Sequence, residues 1–256
     1  MTDSVMQFYD QLADHYTLIF EDWQASVQRQ ANILERFLRA LGFPPPATVL
    51  DCTCGIGTQA IGLASRGYQV YATDLSPVSI DKAREYAAQF GVQVQFAPTD
   101  VREVASRVEG QFDVVASFDN ALPHLIEDED LRLAVDNIYA KVHPNGLFAA
   151  SIRDYDYYVQ EKPHAIEPRV YDSPGERRIV FQVWDWSADG KTYKLQHFIV
   201  RGDGQTWQTT FGETIYRALL RDELSRFLSD AGFNDIRWHM PQDTGNYQPI
   251  VTAKRG

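Results

Sequence analysis

Across its middle, the chain alternates short apolar runs with amphipathic stretches. Val49-Leu50 ends in Asp51, a glycine turn follows at Gly55-Ile56-Gly57, and Ile61, Leu63 and Ala64 then recur at helical spacing as far as Gly67. Tyr68 to Thr73 reads as a second strand, closed by Asp74. Ser76-Pro77 opens the next helix, with Ser as cap and Pro at the first helical position. Val92 to Phe96 alternates as a third strand, Phe112 to Phe118 forms a fourth and Leu147 to Ile152 a fifth. A helical stretch over about 129–142 separates the last two. Strands alternating with helices at this spacing predict a doubly wound α/β core over 47–153.

Both ends break the pattern. Phe8, Leu12, Tyr16 and Ile19 recur at helical spacing, and a longer helical face follows from about Ser26 through Leu34, Leu38 and Leu41. Gly42 and Pro44-Pro45-Pro46 end it. Residues 1–46 therefore read as an N-terminal helical lid set apart from the sheet. After Arg153 the pattern changes, and residues 170–215 carry strand signals with turns and almost no helix. Val170-Tyr171, Arg178–Trp186, Lys194–Arg201 and Thr206–Phe211 read as strands, with hairpin turns at Asp189-Gly190 and Asp203-Gly204. This makes 154–216 an antiparallel insertion. A helix over Arg221–Leu228 and strands over Asn234–Met240 and Gln248–Ala253 fill 217–256. The expected architecture is one α/β domain: a Rossmann-like, doubly wound seven-stranded sheet, a helical lid, and an antiparallel β insertion after strand five.

Composition narrows the partners. A chain of 256 residues suits one large domain. Its net charge of -11 disfavours nucleic acid, which needs clustered Lys and Arg. No apolar leader follows Met1, and no apolar run approaches the ~20 residues of a membrane span. The expectation is a cytoplasmic protein acting on a small molecule, with no membrane partner and with a homo-oligomer left open. Cys52 and Cys54, one residue apart, cannot close an unstrained disulfide. C-x-C alone is a weak metal signal, so no metal is expected.

The carboxylates carry the chemistry. Asp51, Asp74, Asp100 and Asp119 each follow one of the first four strands, on the edge where open α/β sheets hold ligands. Asp74 lies 17 residues beyond Gly57, where an acid accepts hydrogen bonds from ribose hydroxyls. G-I-G-T-Q-A also fits a nicotinamide-dinucleotide turn, so the glycines alone leave the cofactor open. Asp51 repels a pyrophosphate and suits a cation. A sulfonium that carries an ammonium group, S-adenosylmethionine, matches it.

L-D-C-T-C-G-I-G-T, with Asp74, Asp100 and Phe118-Asp119-Asn120, resembles the class I S-adenosylmethionine-dependent methyltransferases over roughly 47–153. Thr53 stands where their motif usually has Gly. A narrower resemblance is to glycine and glycine/sarcosine N-methyltransferases. It rests on the Tyr-rich N-terminal segment running through Trp23 to Arg29, on D-N-A-L-P-H-L after strand four, and on R-D-Y-D at 153–156. The resemblance implies methyl transfer to the amine of an amino acid or related carboxylate-bearing amine, leaving S-adenosylhomocysteine. It implies that Arg153, helped by Asn120, binds the acceptor carboxylate and that Arg29 binds the methionyl carboxylate. Tyr16 and Trp23 are the pocket candidates, because their segment is the natural cover over the cofactor. Asp51, Cys52, Gly55, Gly57, Asp74, Leu75, Asp100, Val101, Phe118 and His124 complete the expected cofactor-binding set. Asp154 departs from the family's Asn and adds a negative charge beside the clamp. Arg153 has an alternative reading, an ion pair with Asp154 or Asp156, and His124 has one as a structural hydrogen-bonder. Other functions remain open: an O-, C- or aromatic N-acceptor, a nicotinamide oxidoreductase, or a non-catalytic S-adenosylmethionine-binding module.

Overall fold

The computed structural model describes residues 2–256, with side chains from Ser4 onward. Helix α1 (Thr2–Ala13), a 3-10 turn (Tyr16–Ile19) and α2 (Trp23–Ala40) open the chain. Then come β1 (Thr48–Asp51), α3 (Thr58–Ser65), β2 (Gln69–Asp74), α4 (Pro77–Gln89) and β3 (Gln95–Pro98). The core continues through α5 (Val104–Arg107), β4 (Phe112–Ser117), α6 (Asp128–Lys141) and β5 (Val142–Ser151). The insertion holds α7 (Tyr155–Glu161), β6 (Ala165–Ser173), β7 (Glu176–Trp186), β8 (Thr192–Gly202) and β9 (Trp207–Arg217). The chain closes with α8 (Arg221–Asp230), β10 (Phe233–His239), α9 (Pro241–Thr244) and β11 (Ile250–Arg255).

Seven strands form the main sheet in the order β10-β11-β5-β4-β1-β2-β3. β1 to β5 run parallel, and β11 is reversed between β5 and β10. Central parallel strands bury both faces and so read as continuous apolar runs rather than alternating ones. Leu131, Val135 and Ile138 of α6 and Leu224 of α8 pack with Val115 and Phe148 on one face. Leu34 and Leu38 of α2 and Leu63 of α3 pack with Val49 and Val114 on the other.

The segment expected as a lid divides in two. Only α1 and the 3-10 turn lie over the insertion and the sheet's open edge. α2 is built into the main core and begins at Trp23, earlier than its apolar face suggests, because Asp22 caps it by accepting from Ala25 N at 3.0 Å. Gly62 of α3 allows the close approach: a Cβ there would meet Ala31 Cβ at 3.0 Å and the Val27 carbonyl at 3.2 Å.

β3 also shifts from its expected position. Val92 N donates to Ala87 O and closes the end of α4, so pairing with β2 starts only at Gln95, opposite Tyr71. Helix α7 opens the insertion, over residues for which the sequence predicts no element. Tyr157 N and Tyr158 N both donate to Asp154 O. The insertion folds as one antiparallel sheet, β6-β7-β8-β9. Both expected hairpin turns are present, and a third joins β6 to β7. The sheet's inner face receives α1: Phe8 and Leu12 pack on Val180 and Ile199, and Phe8 lies 3.0 Å from where a Cβ of Gly212 would stand.

Candidate active site

β1, β2 and β4 bring the strand-end acids to one edge of the sheet, where two adjoining cavities open. Tyr9, Tyr16 and Asp119 form their common wall. The first cavity, about 120 Å³, is lined by Cys52, Gly55, Asp74, Leu75, Asp100, Val101, Phe118 and His124. The second, about 500 Å³, holds Arg29, Asn120 and Arg153. Most residues named from the sequence thus meet around these two spaces.

Three do not. Gly57 sits at φ 89° as the cap of α3, where an added Cβ would meet Ile61 Cδ1 at 3.0 Å and Ala83 Cβ at 3.2 Å. Its role is helix packing. Gly55, at φ 53°, has open space where its Cβ would point and leaves the first cavity clear. Trp23 is buried. Its indole N–H donates to Thr58 Oγ1 at 3.0 Å and its ring packs on Tyr86 and Phe90. It is a core residue beneath the turn rather than a pocket wall.

Asp51 lies behind the glycine turn, 1% exposed. Oδ1 accepts from Thr53 N at 3.3 Å, and Oδ2 has no partner. Burial pushes its pKa from the usual 3.8 to about 7, opposed by the Thr53 N–H and reinforced by the charge of Asp74. Asp51 Oδ2 is an orphaned buried acceptor beside the turn, which an ammonium donor would relieve. Asp74 accepts from Gly55 N at 2.7 Å and Ser76 N at 2.9 Å. Burial still holds its pKa above the ordinary value, against those two bonds. Asp100 is neutralised by Arg102 at 2.6 Å, and Arg102 also pairs with Asp130. The residues present fit an adenosyl sulfonium: acids for ribose and ammonium, and Leu75, Val101 and Phe118 for a flat apolar ring. Cys52 and Cys54 are buried free thiols with raised pKa. Among the described residues no cluster of three or more His, Cys, Asp or Glu is arranged to hold a metal ion.

The second cavity is built around Arg153. Asp154 and Asp156 both pair with Arg221, at 2.8 and 3.3 Å, so neither neutralises Arg153. The extra charge at Asp154 is thereby taken away from the clamp. Among the described residues no carboxylate lies within 4 Å of the Arg153 guanidinium. Tyr193 OH and Gln182 Oε1 accept from it, and Trp184 and Tyr216 lie 4.8 and 5.1 Å beneath its charge.

Asn120 holds the strand end in place. Its Oδ1 accepts from Arg153 N at 2.9 Å and its Nδ2 donates to Tyr155 OH at 3.0 Å. Asp119 and Asn120 both adopt left-handed φ, 64° and 68°. Strained backbone of this kind persists where surrounding bonds hold it. Here Asp119 N donates to Ser151 Oγ and Asn120 N to Ser151 O. Tyr16 OH donates to Asp119 Oδ2 at 3.4 Å, and Tyr247 OH to Oδ1. Arg29 donates to Ser26 Oγ and opens on the second cavity, away from Gly55.

His124 accepts or donates at Tyr9 OH, 2.9 Å away, and its Nδ1 has no partner. Burial, and then the charge of Arg153, lower its pKa to about 3. A neutral imidazole of this kind holds Tyr9 in place. Sequence reasoning missed Gln182, Trp184, Tyr193, His197 and Tyr216. Each lies on an alternate position of β7, β8 or β9 and looks like ordinary strand patterning.

Known proteins similar to this chain are methyltransferases. A family model described as "Methyltransferase domain" matches residues 49–146. A glycine/sarcosine N-methyltransferase of Aphanothece halophytica is 27% identical, over 88% of this chain and 83% of its own. A tRNA 5-carboxymethoxyuridine methyltransferase of Escherichia coli strain K12 is 30% identical, over 72% and 77%. The solved structure of CalS10, an amino pentose methyltransferase from Micromonospora echinaspora with S-adenosylmethionine bound, superposes with a TM-score of 0.72 at 19% identity, covering 90% of this chain and 92% of that one. With the glycine turn, the strand-end acids and these relationships on one chain, the protein belongs to the class I S-adenosylmethionine-dependent methyltransferases.

Proposed function

We propose that the chain methylates the amine of a small carboxylate-bearing acceptor, an amino acid or a related compound. One observation carries this reading: Arg153 is a partly buried cation facing a cavity with no acid within ion-pair distance among the described residues. Arg presents a planar fork that pairs bidentately with a carboxylate. Tyr193 and Gln182 hold two of its N–H donors and leave the rest of the fork for a ligand. The likeness to a glycine/sarcosine N-methyltransferase supports an amine acceptor, and the net charge of -11 weighs against tRNA. A space of about 500 Å³ has room for an acceptor larger than glycine.

When bound, S-adenosylmethionine supplies an electrophilic methyl group on sulfur. The protein's part is positioning and exclusion of water. Arg153 fixes the acceptor's carboxylate, and Asn120 fixes Arg153 through its backbone. Tyr9 and Tyr16, held by His124 and Asp119, cover the junction of the two cavities. Burial raises both phenols well above their ordinary pKa and keeps them neutral. His124 in the wall of the first cavity and His197 in that of the second are both held neutral by burial, with pKa values near 3 and 4, so the amine arrives deprotonated and its proton leaves to water.

Arg153→Lys keeps the charge and loses the fork. The KM for a carboxylate-bearing acceptor should rise roughly ten- to a hundredfold, the worth of one charge-assisted bond, with a smaller change in kcat. Unchanged KM across carboxylate amines removes Arg153 from the site.

A further inference from the structure

The face of the β6–β9 sheet turned away from the cavities is apolar and uncovered. Strand register sets Val170, Ile179, Val200 and Thr209 in one row and Phe181, Phe198 and Phe211 in the next. Phe181 stacks on Phe198 at 4.8 Å, and Phe198 meets Phe211 at 5.1 Å. Val170, Trp207, Phe211 and Ile215 remain about half exposed, 46 to 53%. The opposite face is occupied by α1 and by the wall of the second cavity. A contiguous aromatic patch of this kind marks an interaction surface.

We propose that this face is an isologous interface between two copies of the chain, stacked sheet on sheet. Area is the first argument. Three strands of 11 residues and one of 9, at about 3.4 Å per residue and 4.8 Å between strands, span roughly 37 by 19 Å. That is on the order of 700 Å² per copy, close to the ~800 Å² per partner of a standard stable interface.

Charge is the second argument. The apolar rows are flanked by mixed charges at both ends. Lys194 and Glu213 lie at one end, 3.7 Å apart, and Arg177 with Asp172 at the other. A two-fold axis through the Phe row therefore sets mixed charges against mixed charges, without a like-charge clash. Two layers of Phe side chains also fill the ~10 Å between stacked sheets. The other face of the same strands carries Gln182, Trp184 and Tyr193, so the pairing would stiffen the wall that holds Arg153.

The test is the mass of the full chain in solution, by light scattering or sedimentation, with carbene footprinting of the wild type alongside. The expected result is twice 29.2 kDa at micromolar concentration, and a fall to 29.2 kDa for Phe211→Lys with an unchanged circular dichroism spectrum. Trp207 and Phe211 should label less in concentrated wild type than in dilute. Footprinting decides the matter if the variant fails to fold. A wild-type monomer at every concentration, leaving the face to some other occupant, overturns the proposal. So does a dimer that persists in folded Phe211→Lys, or labelling of Trp207 that ignores concentration.

Discussion

Replacing Asp51 by Asn should stabilise the ligand-free protein at pH 8 while weakening its hold on the cofactor. Asp51 is buried with Oδ2 unpartnered, and its folded pKa is about 7 against the usual 3.8. Between those values the folded chain holds a proton that the unfolded chain has released. Its contribution is therefore fully present below about pH 4 and is lost as pH rises through 7. At 1.36 kcal/mol per pH unit the penalty at pH 8 is on the order of 4 kcal/mol. Asn keeps the acceptor for Thr53 N and never ionises. For a chain of this size the gain corresponds to a Tm roughly 10 °C above wild type. Below about pH 4 the acid is protonated in the folded and the unfolded chain alike, and the two proteins should melt together. His124 and His197, held neutral by burial with pKa values near 3 and 4, destabilise both proteins alike below pH 6.5 and cancel in the difference. Differential scanning fluorimetry across this range makes the measurement, and calorimetric titration at pH 8 should show S-adenosylmethionine binding about tenfold weaker in the variant. A Tm difference that is flat with pH, or an Asn variant less stable at pH 8, refutes the reasoning about the buried acid.

Two further outcomes separate structural from functional residues in the N-terminal segment. Trp23→Ala removes a buried ring and its bond to Thr58, and should cost roughly 3–5 kcal/mol of stability. Measured below its own melting point, it should leave the acceptor KM unchanged; a selective rise in KM returns Trp23 to the pocket. Deleting residues 1–20 removes Tyr9, Tyr16 and the cover on Val180 and Ile199 while sparing α2. Turnover should disappear with the circular dichroism spectrum of the sheet retained, and a truncated protein of full activity contradicts the cover.

The parallel half of the fold was legible because its information is local. Each of the first four strands is closed or followed by an acid, and a glycine turn and a Ser-Pro cap announce α3 and α4. Gly55 and Gly57 show where locality ends. They sit in one motif with the same left-handed backbone, yet one clears a cavity and the other admits Ile61 and Ala83. Trp23 shows it again, because helical spacing does not separate a helix that covers a site from one that supports it. The acceptor side was mostly hidden. Arg153 was found through R-D-Y-D, but the residues that orient it come from strands 29 to 63 positions later. Their inward direction depends on the register of β7, β8 and β9. Asn120 was picked out in sequence, but what it does in the fold is set by its bonds. Both ends of its amide are taken up, by Arg153 N and Tyr155 OH, bonds that no local pattern announces.

The most direct test of the account is a methyl-transfer assay with labelled S-adenosylmethionine on matched pairs of amines that differ only in a carboxylate, with phenols and tRNA in parallel. The account predicts label on the amine of the carboxylate-bearing member of a pair and little on its decarboxylated partner, with the preference lost in Arg153→Lys. Equal transfer to both members, or transfer confined to phenols or tRNA, contradicts it.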